Sequence, residues 1–337
     1  MHRVLIIGVG SIGERHLRCF QQAGRCDLAF CEPLESRRLE VAERYGIKHA
    51  YASLDEALND RDFDAAVIAA PAPAHISVAT RLAKLGQQLL IEKPLSISME
   101  GVDDLARIVR EKSLTVAVGY MHRAHPGVMK LNAAIRDGCL GTLRQLRVVT
   151  GQPLAVFRPA YREIYFADHA KGGGALQDFL THHYNVGELI AGPIDRIMTD
   201  IAHLGLEGVE VEDTVHSMTR QGNVLGMYSC NCYQHPNEVI YTVVGEAGTA
   251  RIEYAKKRIS WMDELNGEWT HESFEVPDID TIYIRQNVAF LDAIEGKGEV
   301  FCDLDAASQT LRVNLASMQS ARAGTWESTS DYSAKAV

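Results

Sequence analysis

Val4-Leu5-Ile6-Ile7-Gly8-Val9-Gly10-Ser11-Ile12-Gly13 decides the reading of the N-terminal half. A continuous apolar run ends in a glycine-rich turn, and the turn opens a helical pattern over 12–22. Strands apolar at every position are covered on both faces, which is the mark of a parallel sheet. The same texture returns at Leu28–Cys31, Ala65–Ala69, Leu89–Ile91 and Thr115–Val118, separated by helical patterns at Ser36–Tyr45, Ile76–Leu85 and Gly101–Lys112. Such alternation predicts right-handed crossovers and a doubly wound α/β domain.

The glycines then acquire chemistry. Gly8 permits the tight turn, Gly10 removes a Cβ where a pyrophosphate would approach, and Gly13 lets helix pack against strand. Backbone N–H groups from Ser11 and Ile12 onward, with the helix dipole, stabilise phosphate. At the end of the second run, Glu32 can accept ribose hydroxyls and repel a 2′-phosphate, which favours NAD; Arg37 and Arg38 leave NADP open.

After about residue 122 the texture changes. A helix starts at Pro126, and period-2 segments follow at Leu143–Thr150, Ile194–His203, Thr214–Thr219, Val224–Cys232, Val239–Val244 and Ala250–Tyr254. Tight turns at 221–223 and 245–248 predict antiparallel pairs. Helical patterns near 175–190, 283–295 and 304–322 complete an α+β domain with a large, mainly antiparallel open sheet. The expected division is therefore 1–121, a Rossmann dinucleotide-binding domain, and 122–337, a substrate-binding and oligomerisation domain. About six strands with few helices leave one sheet face open, and apolar residues at both parities in 224–228 and 239–244 suit a homodimer or homotetramer there. Residues from Glu327 onward are expected to be loosely held.

Composition closes other classes. A length of 337 residues suits two domains. A net charge of −10 without a dense basic patch argues against nucleic acid as a partner. No apolar run is long enough for a membrane span. The opening segment reads as a strand, because Glu14, Arg15 and His16 follow too soon for a leader peptide. Seven scattered cysteines point to reduced thiols and a cytoplasmic protein, with Cys230 and Cys232 packing on one strand face. No HxH or HExxH pattern occurs among the 13 histidines, so no metal is expected.

Further motifs follow in order: Ala70-Pro71-Ala72-Pro73-Ala74-His75, Glu92-Lys93-Pro94, Gly119-Tyr120-Met121-His122-Arg123, and Gly172-Gly173-Gly174 leading to Asp178 and His182-His183. With the glycine turn, and with Phe290-Leu291-Asp292-Ala293-Ile294 and Ser320-Ala321-Arg322 near the end, they resemble the Gfo/Idh/MocA oxidoreductases along nearly the whole chain. The resemblance implies a Rossmann domain followed by an α/β domain whose open sheet makes subunit contacts, acting on sugars, polyols or sugar derivatives at a carbinol carbon. It makes Lys93 the active-site lysine and Asp178 and His182 the acid–base pair, and it implies a cis bond before Pro94. Pro71, His75, Glu92 and Lys93 join the candidate cofactor contacts, although for the His75 ring a hydrogen bond to local backbone is the leading reading and cofactor contact the second.

The chemistry of these residue types agrees. A lysine at the C-terminal end of a parallel strand lies on the edge where doubly wound folds bind ligands, and its ammonium would stabilise a developing alkoxide. Asp178 and His182, four apart on a helix, share a face. An imidazole suits proton abstraction from an alcohol near neutrality. His183, rotated away, is expected to pack.

Substrate contacts are sought in 151–171, from Phe157, Arg158, Tyr161, Arg162, Tyr165 and His169. Arg123, Arg158 and Arg162 could together hold a carboxylate or phosphate, as in a uronate or nucleotide sugar; salt bridges to Glu163 and Asp168 are the alternative. Tyr283 and Asn287 are further pocket candidates. Leu180, Asn185 and Ala124 depart from the family pattern at positions expected near the substrate. The function so read is an NAD(P)-dependent dehydrogenase of CH–OH groups. One alternative is a redox-neutral epimerase or glycoside elimination or hydrolysis enzyme working through a transient keto-sugar, and another is a non-catalytic NAD sensor.

Overall fold

A computed structural model describes residues 1–265, 267–276 and 278–332. Two compact units emerge: Met1–Ser96, Glu100–Ala124 and Pro277–Ser308 in the first, and Ile97–Met99, His125–Val276 and Gln309–Val337 in the second. The stretch 277–308, which sequence texture groups with the second domain, thus belongs with the first unit.

In the first unit, β1 (His2–Ile7), β2 (Cys26–Cys31), β3 (His49–Tyr51), β4 (Ala65–Ile68), β5 (Gln88–Ile91) and β6 (Val116–Val118) form one parallel sheet in the order β3-β2-β1-β4-β5-β6. Helices α1 (Ser11–Ala23), α2 (Glu35–Tyr45), α3 (Leu54–Asp60), α4 (His75–Lys84) and α5 (Val102–Glu111) connect them. This is the doubly wound sheet expected. Strand β3, half-buried and three residues long, is too short to show periodicity.

Strand order reverses between β1 and β4, so the loops after these neighbours open a crevice at the carboxyl edge of the sheet. The late helix α9 (Ile279–Ile294) packs along α1. Its N-terminus is capped by Asp278, which accepts from Thr281 N at 2.9 Å. Arg18 clasps Asp280 at 2.5 and 2.8 Å and holds that carboxyl below its usual range. Phe290 and Leu291 are fully buried in the core with Val4, Leu17 and Phe20, a burial of about 1.5–3 kcal/mol for each side chain.

The second unit is built on β7 (Leu143–Gly151), β8 (Arg196–Ala202), β9 (Thr214–Gln221), β10 (Val224–Asn231), β11 (Glu238–Gly245), β12 (Thr249–Glu253), β13 (Arg258–Met262), β14 (Thr270–Ser273) and β15 (Glu327–Ser328). They lie in the order β14-β13-β12-β11-β7-β10-β9-β8-β15. All neighbours are antiparallel except β7 and β10. Helices α6 (Pro126–Arg136), α7 (Leu154–Phe157), α8 (Thr181–Ala191) and α10 (Leu304–Ala323) complete the helical elements, and α6 and α8 pack on the sheet.

The covered face buries Leu146, Val148, Tyr228, Tyr241, Val243 and Ile252. The other face exposes Met218, Leu225 and Met227, with Met218 directly opposite Met227. Three strands exceed the six expected. One of them corrects the expectation of a loose C-terminus: Glu327–Ser328 pairs with β8, and Thr329 N donates to Asp195 O at 3.0 Å. No helix among the described residues is long and apolar enough to cross a membrane.

Candidate active site

The glycine turn follows β1. Gly8 takes φ +82°, open to glycine at little cost. A Cβ on Gly13 would stand 1.9 Å from the Gly8 carbonyl oxygen, so helix and turn can touch only with glycine there. Gly10 ends the turn as the N-cap of α1, with no side-chain cap and open space where its Cβ would be. Ser11 is exposed and Ile12 half-buried. An uncapped helix N-terminus facing open space fits a dinucleotide diphosphate.

Glu32, at the end of β2, is buried and already oriented: Oε2 accepts from Val9 N at 3.2 Å and Oε1 from Leu34 N at 3.1 Å. Arg37 Nη1 stands 3.9 Å from Glu32 Oε2. Arg38 is turned to backbone, donating to Glu32 O at 2.8 Å.

After β4, Pro71 is exposed and caps a short 3₁₀ turn. The His75 ring is 1% exposed, with Nε2 2.8 Å from Ala70 O and Nδ1 3.0 Å from Pro94 O. Burial holds its pKa down. This ring ties the loop after β4 to the loop after β5, the backbone role expected first for it.

After β5 come Glu92 and the cis Lys93–Pro94 bond. Glu92 is buried, accepting from Lys93 N at 3.0 Å through Oε2, while His16 Nε2 lies 2.7 Å from Oε1. Lys93 is half-buried. Burial, and secondarily the Lys93 ammonium, push the His122 imidazole down to about 4, so it is neutral near pH 7. Arg123 is buried and donates to Phe301 O at 3.2 Å, which fixes it within the fold of this unit. Tyr283 is buried with its ring edge-on to His16, and Arg15 lies over its face.

In the second unit the glycine run 172–174 precedes a helix that differs from expectation. Leu176–Leu180 is a π-helical turn, and the α-helix α8 begins only at Thr181. Gly174, at φ +89°, lies against the Glu212 carboxylate. Buried Glu212 accepts from Leu176 N at 2.8 Å, and its Oε2 lies 2.5 Å from His169 Nε2.

Asp178 is 2% exposed and held at both oxygens: Tyr165 Oη donates to Oδ1 at 2.7 Å and Arg158 Nη1 to Oδ2 at 2.9 Å. The Arg158 guanidinium also covers the Phe179 ring at 5.5 Å. His182, half-buried, stands in the first turn of α8. His183 packs as expected, its Nδ1 2.6 Å from Tyr241 Oη.

Several residues sought as substrate contacts hold bonds within the second unit. Tyr161 is a core residue, 1% exposed, whose hydroxyl donates to Glu207 O at 2.6 Å. Arg162 donates Nε to that same carbonyl at 2.8 Å and stacks over Tyr161. Leu180 and Ala124 are fully buried, and Asn185, also buried, donates to Thr310 Oγ1 at 2.9 Å.

Sequence reasoning missed His16, His122 and Glu212 as parts of these clusters. His16, three residues beyond Gly13 on the same helix, carried the clearest signal. Glu212 carried little, lying in an acidic stretch that reads as solvated surface.

Residues 2–120 match the family model described as the Gfo/Idh/MocA oxidoreductase family, NAD-binding Rossmann fold. Residues 128–251 match the model of a Gfo/Idh/MocA C-terminal domain. Among curated relatives, myo-inositol 2-dehydrogenase of Thermotoga maritima is 24% identical over 59% of this chain and 58% of its own. UDP-N-acetylglucosamine 3-dehydrogenase of Acidithiobacillus ferrooxidans is 29% identical over 57% of this chain and 56% of its own. The chain thus spans somewhat over half the length of these relatives. A solved levoglucosan dehydrogenase in complex with NADH and levoglucosan shares the fold at TM-score 0.87 and 19% identity, covering 97% of this chain and 99% of that one.

Proposed function

The chain belongs to the Gfo/Idh/MocA oxidoreductases with an NAD-binding Rossmann domain, and from that membership we propose that it is an NAD-dependent dehydrogenase of a secondary alcohol on a sugar, polyol or sugar derivative. The supporting observation is one edge of one sheet. The glycine turn, Glu32, the loop with Pro71 and His75, and Glu92-Lys93 all follow the carboxyl ends of parallel strands, where doubly wound folds bind dinucleotides. The inositol and UDP-N-acetylglucosamine dehydrogenases among the relatives suit the same substrate class.

NAD, held by Gly8, Gly10, Ser11, Ile12, Gly13 and Glu32, would supply the hydride acceptor. In this reading His182 takes the proton from the substrate hydroxyl, and the Lys93 ammonium stabilises the alkoxide as that proton leaves. Asp178, gripped by Arg158 and Tyr165, keeps a fixed carboxylate that supports the imidazolium formed at His182. His122, neutral near pH 7, adds no second cation beside Lys93. A cytoplasmic homo-oligomer using the exposed sheet face of Met218, Leu225 and Met227 belongs to the same reading.

The test is NADH formation from NAD⁺ across polyols, aldoses, uronates and nucleotide sugars. Lys93→Ala should cut turnover on any active compound by about 10²–10⁴-fold while NADH affinity holds. Parent-like turnover in that variant removes Lys93 from the chemistry. Full conversion of the substrate by protein stripped of NAD, with no nicotinamide added or bound, overturns the redox reading altogether.

A further inference from the structure

The loop that carries Lys93 has no regular hydrogen-bonded structure of its own, yet its first residue is held from several sides within the nucleotide-binding unit. Glu92 is 4% exposed; His16 Nε2 lies 2.7 Å from Oε1, and Lys93 N donates to Oε2 at 3.0 Å. The carboxylate lies against Gly119: a Cβ there would stand 2.7 Å from Glu92 Oε1, so any other residue would press on it. His16 is itself locked. It is fully buried on α1, its Nδ1 lies 3.1 Å from Asn287 Oδ1, and the Tyr283 ring meets it edge-on at 5.5 Å. With the amide of Asn287 in either orientation, both imidazole nitrogens face a polar partner. Asn287 is also fully buried, and both it and Tyr283 lie on α9.

We propose that His16 is a positioning residue for Lys93: braced by Asn287 and Tyr283, it orients Glu92, and Glu92 fixes the backbone from which the lysine projects. The physical reason is that a buried carboxylate is costly without partners. The conformation that satisfies Glu92 is therefore strongly selected, and the N–H of Lys93 is one of the groups that satisfies it. The proline ring adds a limit of its own, since it restricts the residue before it. His75 secures the far side through Pro94 O at 3.0 Å. Lys93 thus leaves a backbone anchored on both flanks, by histidines from α1 and α4. The late helix α9 is part of the catalytic apparatus through this brace.

The inference rests on Lys93 having the role given above, but its test needs no substrate. The rate at which trinitrobenzenesulfonate labels Lys93 would be read by peptide mass spectrometry, with exposed Lys84 as internal standard and NADH fluorescence titration reporting the nucleotide site. In His16→Leu, labelling of Lys93 should accelerate about tenfold as the loop loosens, with Lys84 unchanged and NADH still bound. His16→Gln, which keeps a donor toward Glu92, should restore most of the parent rate. Should His16→Leu fail to bind NADH, Asn287→Ala carries the test, with a smaller acceleration of the same sign. A parent-like Lys93 rate in whichever of the two variants still binds NADH overturns the brace. Lys93→Ala turnover judges the chemistry separately: a coupled labelling rate with a fully active Lys93→Ala keeps the brace and discards the chemical role.

Discussion

The two units hold their chemical side chains by different means. In the first, the candidate residues sit on loops that leave a parallel sheet, and backbone geometry places most of them: the φ of Gly8, the close approach of Gly13 to Gly8 O, and Glu32 accepting from two backbone N–H groups. In the second, Asp178 is placed by the side chains of Arg158 and Tyr165, and its helix starts on the side chain of Glu212. A backbone-built site tolerates side-chain changes around it but not an added Cβ. A site built from side chains can be dismantled one partner at a time. Glu92 is the exception in the first unit, since it depends on His16.

Predictions from this contrast run from large to small. His182→Ala should reduce turnover by about 10²–10⁴-fold with NADH affinity intact, measured by steady-state kinetics and fluorescence titration; a weakened NADH affinity instead would blur the division of labour. Arg158→Leu strips one oxygen of buried Asp178 of its charged partner. We expect a loss of about 10–100-fold in kcat, with the helix still folded by circular dichroism; an unchanged kcat breaks the side-chain half of the contrast.

Gly13→Ala should destabilise the first unit by about 1–3 kcal/mol in denaturant unfolding and weaken NADH binding, because the turn must move. The smallest effect belongs to His169. Its hydrogen bond to Glu212 raises its pKa, so the folded state binds the proton more tightly than the unfolded one. The resulting stabilisation is complete below the unfolded value of about 6.5 and disappears as pH climbs through the raised folded pKa. With 38% of the His169 side chain exposed, screening keeps this below about 1 kcal/mol. The Tm gap between parent and His169→Gln should therefore narrow from pH 5 toward pH 8, as read by thermal melts at about those values.

Much of the first unit was legible in the sequence because its strands are covered on both faces, so burial writes continuous apolar runs, and because the glycine turn has a fixed spacing. Strand β3 escaped by brevity. The place of α9 escaped for a deeper reason: the period of a helix reports that one face is buried, not against which partner. In the second unit the two tight turns revealed β9–β10 and β11–β12, whereas the parallel pairing of β7 with β10 joins segments with no local signal between them. The π-turn at Leu176–Leu180 had none either, since Asp178 and His182 keep a helical spacing through it. Tyr161 read as a recognition residue by type, whereas its ring is buried and its hydroxyl bonds Glu207 O; Arg162, exposed beside it, bonds the same carbonyl.

Because α9 closes over α1 while lying far along the chain, the parallel sheet leaves the ribosome long before its last helix does. Until then Phe20 and Leu17 lack the cover of Phe290 and Leu291, and His16 has nothing behind it. Nascent chains stalled or truncated before that helix should therefore be sticky and deficient in nucleotide retention.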